Sequence, residues 1–168
     1  MAVLPPDVRV ARNFRIIKGL SDNIIRTDYA IDSAVTAVAQ GEWVVLDASN
    51  TVTKTSGESL AAPAHNVAVN WTVFARDDSN AGQSDAIATN QLTLVTGSYQ
   101  AETKLFESTG TFTAGFLLVV RESSTTAGQG VLDAVDSAAA SNAQLGAAVA
   151  RVVSLASGVL TYRTLGSA

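Results

Sequence analysis

Few side chains in this sequence could support chemistry, and the first is the single histidine, His65, in the stretch "APAHN" at 62–66. A protein metal site normally combines several histidine, cysteine or carboxylate ligands, and the chain contains no cysteine. As a general base, His65 would need a nucleophile and an acid to orient it, and the sequence identifies neither. We therefore interpret His65 as a loop residue without a catalytic role.

The acidic segment 76–85, "RDDSNAGQSD", is the candidate for a metal site. In the spacing of an EF-hand loop, Asp77 and Gly82 would fill the first and sixth positions. The fifth and twelfth positions would then be Ala81 and Ala88, although the twelfth normally holds a bidentate glutamate. Because two ligand positions are alanine, we predict a solvated loop with no structural Ca²⁺ and no other metal.

The glycines of the chain do not form a nucleotide-binding or hydrolase motif. The "GQG" at 128–130 lacks the further glycine and the βαβ context of a dinucleotide-binding turn. The sequence contains no Walker A segment and no G-x-S-x-G elbow. We therefore expect a protein that is not an enzyme and that uses no cofactor.

The two tryptophans, Trp43 and Trp71, could form a platform that stacks on sugar rings. Both are flanked by β-branched residues, and tryptophan is highly buried on average, so interior packing is the better interpretation. We predict a core that contains Trp43, Trp71, Val69, Phe116 and Leu118.

Short β-like runs separated by turn residues would have to position these side chains. In 66–76 the residues alternate, with Val69 and Trp71 on one face, which predicts a half-buried strand. The unbroken apolar run 116–120 predicts a strand that is covered on both faces.

Two hairpins follow from the turn residues. The runs 42–47 and 51–55 are joined by Ala-Ser-Asn, and the runs 147–155 and 159–165 are joined by a segment that contains Gly158. Glycine supplies the positive φ that tight hairpin turns require.

The alanine-rich segment 131–148 is the least regular part. The helix propensity of alanine favours a short helix around 133–143, whereas Ser137, Ser141, Asn142 and Gly146 disfavour it, so both a helix and a loop stay open there. The remaining runs predict seven to nine short strands. This pattern indicates an all-β fold, either a sandwich or a small β-barrel, with at most one short helix.

Charge is sparse and unevenly distributed. Charged residues make up 15% of the chain and the net charge is −4. Residues 1–26 carry five bases and two acids, or +3, so residues 27–168 carry −7. Because phosphate binding needs clustered lysine and arginine, we expect no nucleic-acid partner. No apolar stretch has the length of a signal peptide or a membrane span, and we expect a soluble protein that is neither exported nor bound to a membrane.

The first 18 residues predict an extended arm, and 19–168 a single β-rich domain. Pro5 and Pro6 favour an extended chain, and the aliphatic side chains around them must pack on this domain or on a partner. The residues expected to contact a partner are Val3, Leu4, Pro5, Pro6, Val8, Arg9, Val10, Arg12 and Arg15.

Several segments, taken in order, resemble the head decoration, or cement, proteins of tailed bacteriophages. The resemblance extends over about 13–165 and is carried by "GEWVVLD", "TVTKT", "VNWTVFAR", "LTLVTGSYQAETKLFE", "TFTAGFLLVV" and "VARVVSLASGVLTYRTL". These are apolar and glycine patterns without a catalytic signature. The alanine-rich segment 131–148 and the long N-terminal region make this chain larger than the smallest members.

The resemblance implies a compact β-barrel or β-tulip body on the outer surface of an expanded capsid, made in the host cytoplasm. It implies a terminal arm that reaches across major capsid protein subunits, and self-association as a homotrimer or a dimer. Such proteins carry out no chemistry and stabilise the shell by bridging capsomers.

Two other classes remain open. One is an exposed carbohydrate-binding or adhesive β module, which would need Trp43 or Trp71 to be accessible. The other is a different virion component, either a head–tail connector or a tail-tube protein, and a tube protein would polymerise by itself.

Overall fold

The structure, a computed structural model, describes residues 14–19, 24–35, 37–70 and 91–166. Within these ranges the protein is all-β, as predicted, with a single antiparallel sheet and one short helix. The sheet has eleven strands, more than the seven to nine predicted. In chain order the elements are β1 Phe14–Gly19, β2 Ile24–Ala30, β3 Trp43–Leu46, β4 Val52–Thr53, β5 Val67–Asn70, β6 Gln91–Thr96, β7 Tyr99–Thr103, β8 Leu117–Glu122, β9 Gly130–Val135, α1 Asn142–Ala147, β10 Ala150–Ala156 and β11 Val159–Thr164.

The strands follow one path, β1-β7-β11-β10-β8-β9-β3-β5-β6-β2, and β4 pairs with β3 beside that path. The path does not close on itself in the part of the chain that the structure describes, which fits a sandwich or an open barrel. Consecutive β10 and β11 are neighbours, whereas β3 pairs with β9, which lies far from it along the chain.

One face of the sheet encloses an inner cluster to which β1, β3 and β5 to β11 all contribute. Its centre is aromatic: the rings of Tyr99 and Tyr162 lie 6.2 Å apart, and Trp43 and Tyr162 lie 6.3 Å apart. Edge-to-face and tilted contacts at such distances stabilise a core beyond the area that they bury. Of the predicted core residues, Trp43, Val69 and Leu118 are buried, Phe116 packs against the cluster from its edge, and Trp71 lies outside the described residues.

A second cluster covers the opposite face of β3, β5 and β6. It joins Val44, Ala68 and Leu94 from those strands to residues of the segment 29–38 and to Val52 of β4. The prediction of a half-buried strand at 66–76 is therefore wrong for its described part, because Ala68 and Asn70 are as buried as Val69. Apolar–polar alternation failed there because alanine and an internally bonded asparagine occupy the second buried face.

Strand β8 is also covered on both faces, as its apolar run predicted, since 117–120 are all buried. Helix α1 packs on this strand, and Gln144 of the helix donates to the Leu60 carbonyl at 2.9 Å. The helix that alanine favours around 133–143 does not form over that range. Residues up to Val135 extend strand β9, and the helix begins only after Ser141, which caps it by accepting a hydrogen bond from the Gln144 N–H.

Strands β3 and β9 pair through a single residue pair, Trp43 and Gly130. A Cβ at Gly130 would lie 1.9 Å from the Trp43 carbonyl oxygen, so only glycine permits this close approach.

Both predicted hairpins are present. Strands β3 and β4 pair across a turn in which the Asp47 carboxylate accepts from the Ser49 and Thr51 N–H groups, both at 2.8 Å. Strands β10 and β11 are joined by Ser157 and Gly158, with φ of 51° and 73°. Two successive positive φ values match the right-handed twist of a tight hairpin.

The predicted arm and the predicted acidic loop fall largely outside the described residues, which exclude 1–13 and 76–85. Residues 14–18, assigned to the arm from sequence, form most of β1 and pair with β7. Among the described residues, no helix is long and apolar enough to cross a membrane.

Candidate binding face

The outer face of β1, β7, β11 and β10 is open to solvent, and we refer to it as the open face. Burial alternates along these strands: in β7, Tyr99, Ala101 and Thr103 are buried, whereas Gln100 and Glu102 are partly exposed. The buried set belongs largely to the inner cluster, so the exposed set lies on the opposite side of the sheet. Here the sheet has one covered face, unlike the region around β3, β5 and β6.

A row of basic side chains crosses the open face. In register across four neighbouring strands lie Lys18, Gln100, Arg163 and Arg151. Three of the four positions in this row are cationic, and neighbouring strands lie only about 4.8 Å apart.

A second row on the same face contains the one acidic residue of the four strands, Glu102. Arg15, Glu102, Thr161 and Ser154 are in register on the same four strands. The Arg15 guanidinium donates to one Glu102 oxygen from Nη2 at 2.6 Å and from Nε at 3.1 Å. The charge of Arg15 is therefore balanced within the protein.

Arg151 and Arg163 are not balanced in this way. They face each other directly on β10 and β11, and neither lies within 4.0 Å of a carboxylate in the described ranges. Arg151 Nη1 donates to the Gly115 carbonyl at 2.9 Å. Like charges directly opposite each other destabilise a sheet, and no carboxylate within the described residues offsets that cost.

The four strands of the open face carry the opposite charge to the rest of the chain. Their charged residues are four bases (Arg15, Lys18, Arg151 and Arg163) and one acid (Glu102), which gives +3. Since the whole chain has a net charge of −4, all other residues together carry −7.

Exposed aliphatic side chains accompany these charges. Ile17 of β1, Val153 of β10 and Leu165 just after β11 are each more than 40% exposed. Both Ile17 and Val153 lie at irregularities of strand register, where a β-bulge adds one residue. Arginine together with exposed aliphatic side chains is typical of protein–protein interfaces.

Two other polar groupings lie inside the protein. Glu42 is 2% exposed, pairs with Lys54, and accepts from the Ala39 N–H at 2.8 Å. Burial raises the pKa of Glu42, and the Lys54 charge opposes this effect. Lys54 also donates to the Ala37 carbonyl at 2.9 Å, so this pair ties the segment before β3 to the strand pair β3–β4.

The second grouping joins the β8–β9 region to neighbouring turns. Glu107 accepts from Ser124 through its N–H at 3.1 Å and its hydroxyl at 2.9 Å, and Arg121 pairs with Asp133 at 3.3 Å. Burial alone would raise the pKa of Glu107, but these hydrogen bonds outweigh it and lower the pKa. Burial raises the pKa of Asp133. Each carboxylate accepts hydrogen bonds from side chains or N–H groups of this protein, so we interpret both as structural contacts.

Of the residues predicted to contact a partner, the structure places Arg15 on the open face. The others, Val3, Leu4, Pro5, Pro6, Val8, Arg9, Val10 and Arg12, lie outside the described residues. His65 is exposed in a loop, and no group of three metal-ligating side chains occurs in the ranges that the structure describes.

Sequence reasoning missed Arg151 and Arg163 as site residues. Alternation in "ARVVSLA" and "VLTYRT" could have placed each arginine on an exposed face of its strand. Their alignment with Lys18 could not have been found, because it depends on β1, β7, β11 and β10 lying side by side.

Comparison with models of protein families, with curated proteins and with solved structures gave no match.

Proposed function

We propose that this protein is a structural, non-enzymatic module that docks on the outside of a larger protein shell, as a decoration protein docks on the major capsid protein of a phage. The observation that supports this proposal is the open face, a sheet surface with a net charge of +3 and exposed aliphatic side chains. No cofactor or nucleic acid takes part.

The charge of the open face favours an acidic protein surface as its partner. A +3 face on a chain whose remaining residues carry −7 orients the molecule during approach. The acidic remainder of the chain repels the same partner, so charge selects the face that makes contact. Self-association as a homotrimer or dimer on the outer capsid surface then uses a surface other than the open face, which stays available to the shell.

Each such contact can be weak. A shell presents many identical sites, and several linked subunits bind with an avidity far above that of one interface. A face of four strands with a few unpaired cations and aliphatic side chains suits this mode of binding.

The carbohydrate-binding alternative gains no support from Trp43, which is 3% exposed and packs in the inner cluster. Trp71 lies outside the described residues. No observation favours a connector or a tube subunit over a decoration protein.

The test is occupancy on virus particles assembled without this protein. Purified chain is added back, particles are sedimented, and bound chain is quantified. The triple variant Lys18→Gln, Arg151→Gln and Arg163→Gln should bind at least about tenfold more weakly than the wild type, since charge pairs at an interface control both association and dissociation.

The control variant carries Ser56→Glu, Ala61→Glu and Ala127→Glu at exposed positions outside the open face. Its net charge changes by the same −3, so it separates the face from overall charge. If the wild type does not bind, the proposed function is wrong. If both triple variants bind equally well, docking occurs through another surface.

A further inference from the structure

We infer that the groove between Arg151 and Arg163 is a receptor for a single carboxylate of the partner protein, supplied by an aspartate or glutamate side chain. This inference rests on the proposed function and identifies which group of the partner the open face recognises. The groove has a volume of about 300 Å³ and is lined by Ser98, Arg151, Arg163, Thr164 and Leu165.

The two guanidinium groups offer free donors on the same face. Arginine has five N–H donors, and Arg151 uses Nη1 for the Gly115 carbonyl. Arg163 makes no hydrogen bond or ion pair in the described part of the chain. A carboxylate that accepts from both groups would replace the repulsion between them by charge-assisted hydrogen bonds, two of them from Arg163 in the two-pronged geometry.

Arg151 is held in place before a partner arrives. The Gly115 carbonyl accepts from Arg151, and the Gly115 N–H donates to the Val152 carbonyl at 2.9 Å, next to Arg151 on β10. This short loop therefore fixes the guanidinium against its own strand. Fixing a binding group in advance lowers the entropy lost on binding.

The acidic residue of the open face does not occupy the groove. Glu102, the one acid on the four strands, is bound by Arg15 in the neighbouring row. The carboxylate must then come from outside the described residues, and the acidic partner surface already proposed supplies one.

The surroundings of the groove favour a protein carboxylate over a nucleic-acid phosphate. Leu165 forms one side of the groove and is 47% exposed, so it can contact the methylene groups of an acidic side chain. Strong phosphate-backbone binding uses roughly six to ten cationic contacts, whereas the open face has three unpaired bases.

The first experiment measures particle occupancy for single and double variants. Arg151→Gln and Arg163→Gln should each weaken binding roughly tenfold, and the double variant should bind about as weakly as either single one, because both arginines hold the same carboxylate. Arg163→Lys should remain near the level of Arg163→Gln, since an ammonium cannot replace the two-pronged guanidinium. Lys104→Gln, which removes one exposed positive charge outside the four strands, is the matched control and should bind like the wild type.

A different pattern would overturn the inference while leaving the proposed function intact. Additive losses in the double variant, together with full recovery by Arg163→Lys, would show that the arginines act only as general positive charge.

The second experiment needs no particle. The guanidinium Nε–Hε signals of the purified protein are followed by NMR while propionate replaces chloride at constant ionic strength. Signals of Arg151 and Arg163 should shift together and saturate, and that of Arg15 should not. No shift, or stronger binding of a six-residue thymidine oligonucleotide than of a six-residue glutamate peptide, would contradict a carboxylate receptor even if the wild type failed to bind particles.

Discussion

The described residues cover one region of the sheet on both sides and leave another region open on one side. Around β3, β5 and β6, the inner cluster lies on one face and the second cluster, built from 29–38 and β4, lies on the other. Around β1, β7, β11 and β10, the inner cluster lies on one face and solvent on the other. The covered region stabilises the fold, and the open region has a surface free for contact.

The ion pairs of the two regions also differ in exposure, and the pair in the covered region is the more buried one. Glu42 and Lys54 in the covered region have side chains that are 2% and 27% exposed, whereas Arg15 and Glu102 on the open face are 51% and 30% exposed. A buried pair becomes costly when one partner is removed, while an exposed pair contributes little. Substitutions in the two regions should therefore have separable effects on stability and on binding.

The largest effect is expected from the variant Leu94→Ala in the covered region. Leu94 is fully buried in the second cluster, and its truncation should lower the free energy of unfolding by about 2–5 kcal/mol. Val153→Ala on β10, where the side chain is 41% exposed, should cost about 1 kcal/mol or less. Urea unfolding of both variants measures the difference, and equal losses would show that the two regions contribute alike to stability.

A somewhat smaller effect is expected from Lys54→Met, with a defined pH dependence. The Glu42 carboxylate would stay buried without its partner, at a cost of about 3 kcal/mol at pH 7. Burial raises the folded-state pKa of Glu42, so its ionised form opposes folding as the pH rises. The loss should shrink towards about pH 4, where Glu42 becomes protonated in the folded and unfolded chains alike.

The matched control for Lys54→Met is Arg15→Met, which removes the exposed pair. It should cost only about 0.2–1 kcal/mol. The measurement is the free energy of unfolding of both variants at several pH values. A deficit in Lys54→Met that stays constant down to acidic pH would mean that Glu42 is not the cause.

The smallest effect, and one of opposite sign, is expected from Arg163→Thr on the open face. Removal of one of two directly opposed arginines should stabilise the fold by about 0.2–1 kcal/mol, while particle binding falls. Lys18→Thr is the control, because Lys18 lies opposite the neutral Gln100 and its removal relieves no such pair. Destabilisation by Arg163→Thr would mean that the arginine pair supports the fold rather than a partner.

Local pattern predicted much of the fold. The hairpins β3–β4 and β10–β11 follow from alternating runs on either side of short turns, and the covered strand β8 follows from its unbroken apolar run. These predictions succeeded because each depends on residues that are close in sequence. The choice between helix and loop in 131–148 stayed open, because the helix propensity of alanine is weak beside the pairing of β9 with β8.

The candidate site was much less accessible from sequence. Arg15 was singled out as part of a basic arm, but its partner Glu102 lies 87 positions away. The groove depends on Arg151 and Arg163 having no such partner, and only the set of neighbouring strands determines that.

The sequence by itself determined the all-β class, the two hairpins and a hydrophobic core that contains Trp43, because alternation, turn residues and burial preference act over short stretches. Only the tertiary structure decided which strand faces are covered. The segment 29–38 packs against the second face of β5 and buries it. No described segment packs in this way against the outer face of β11, which stays exposed. The alignment of Lys18, Arg163 and Arg151 in one row is likewise a consequence of strand order and register, which arise from pairing between distant parts of the chain.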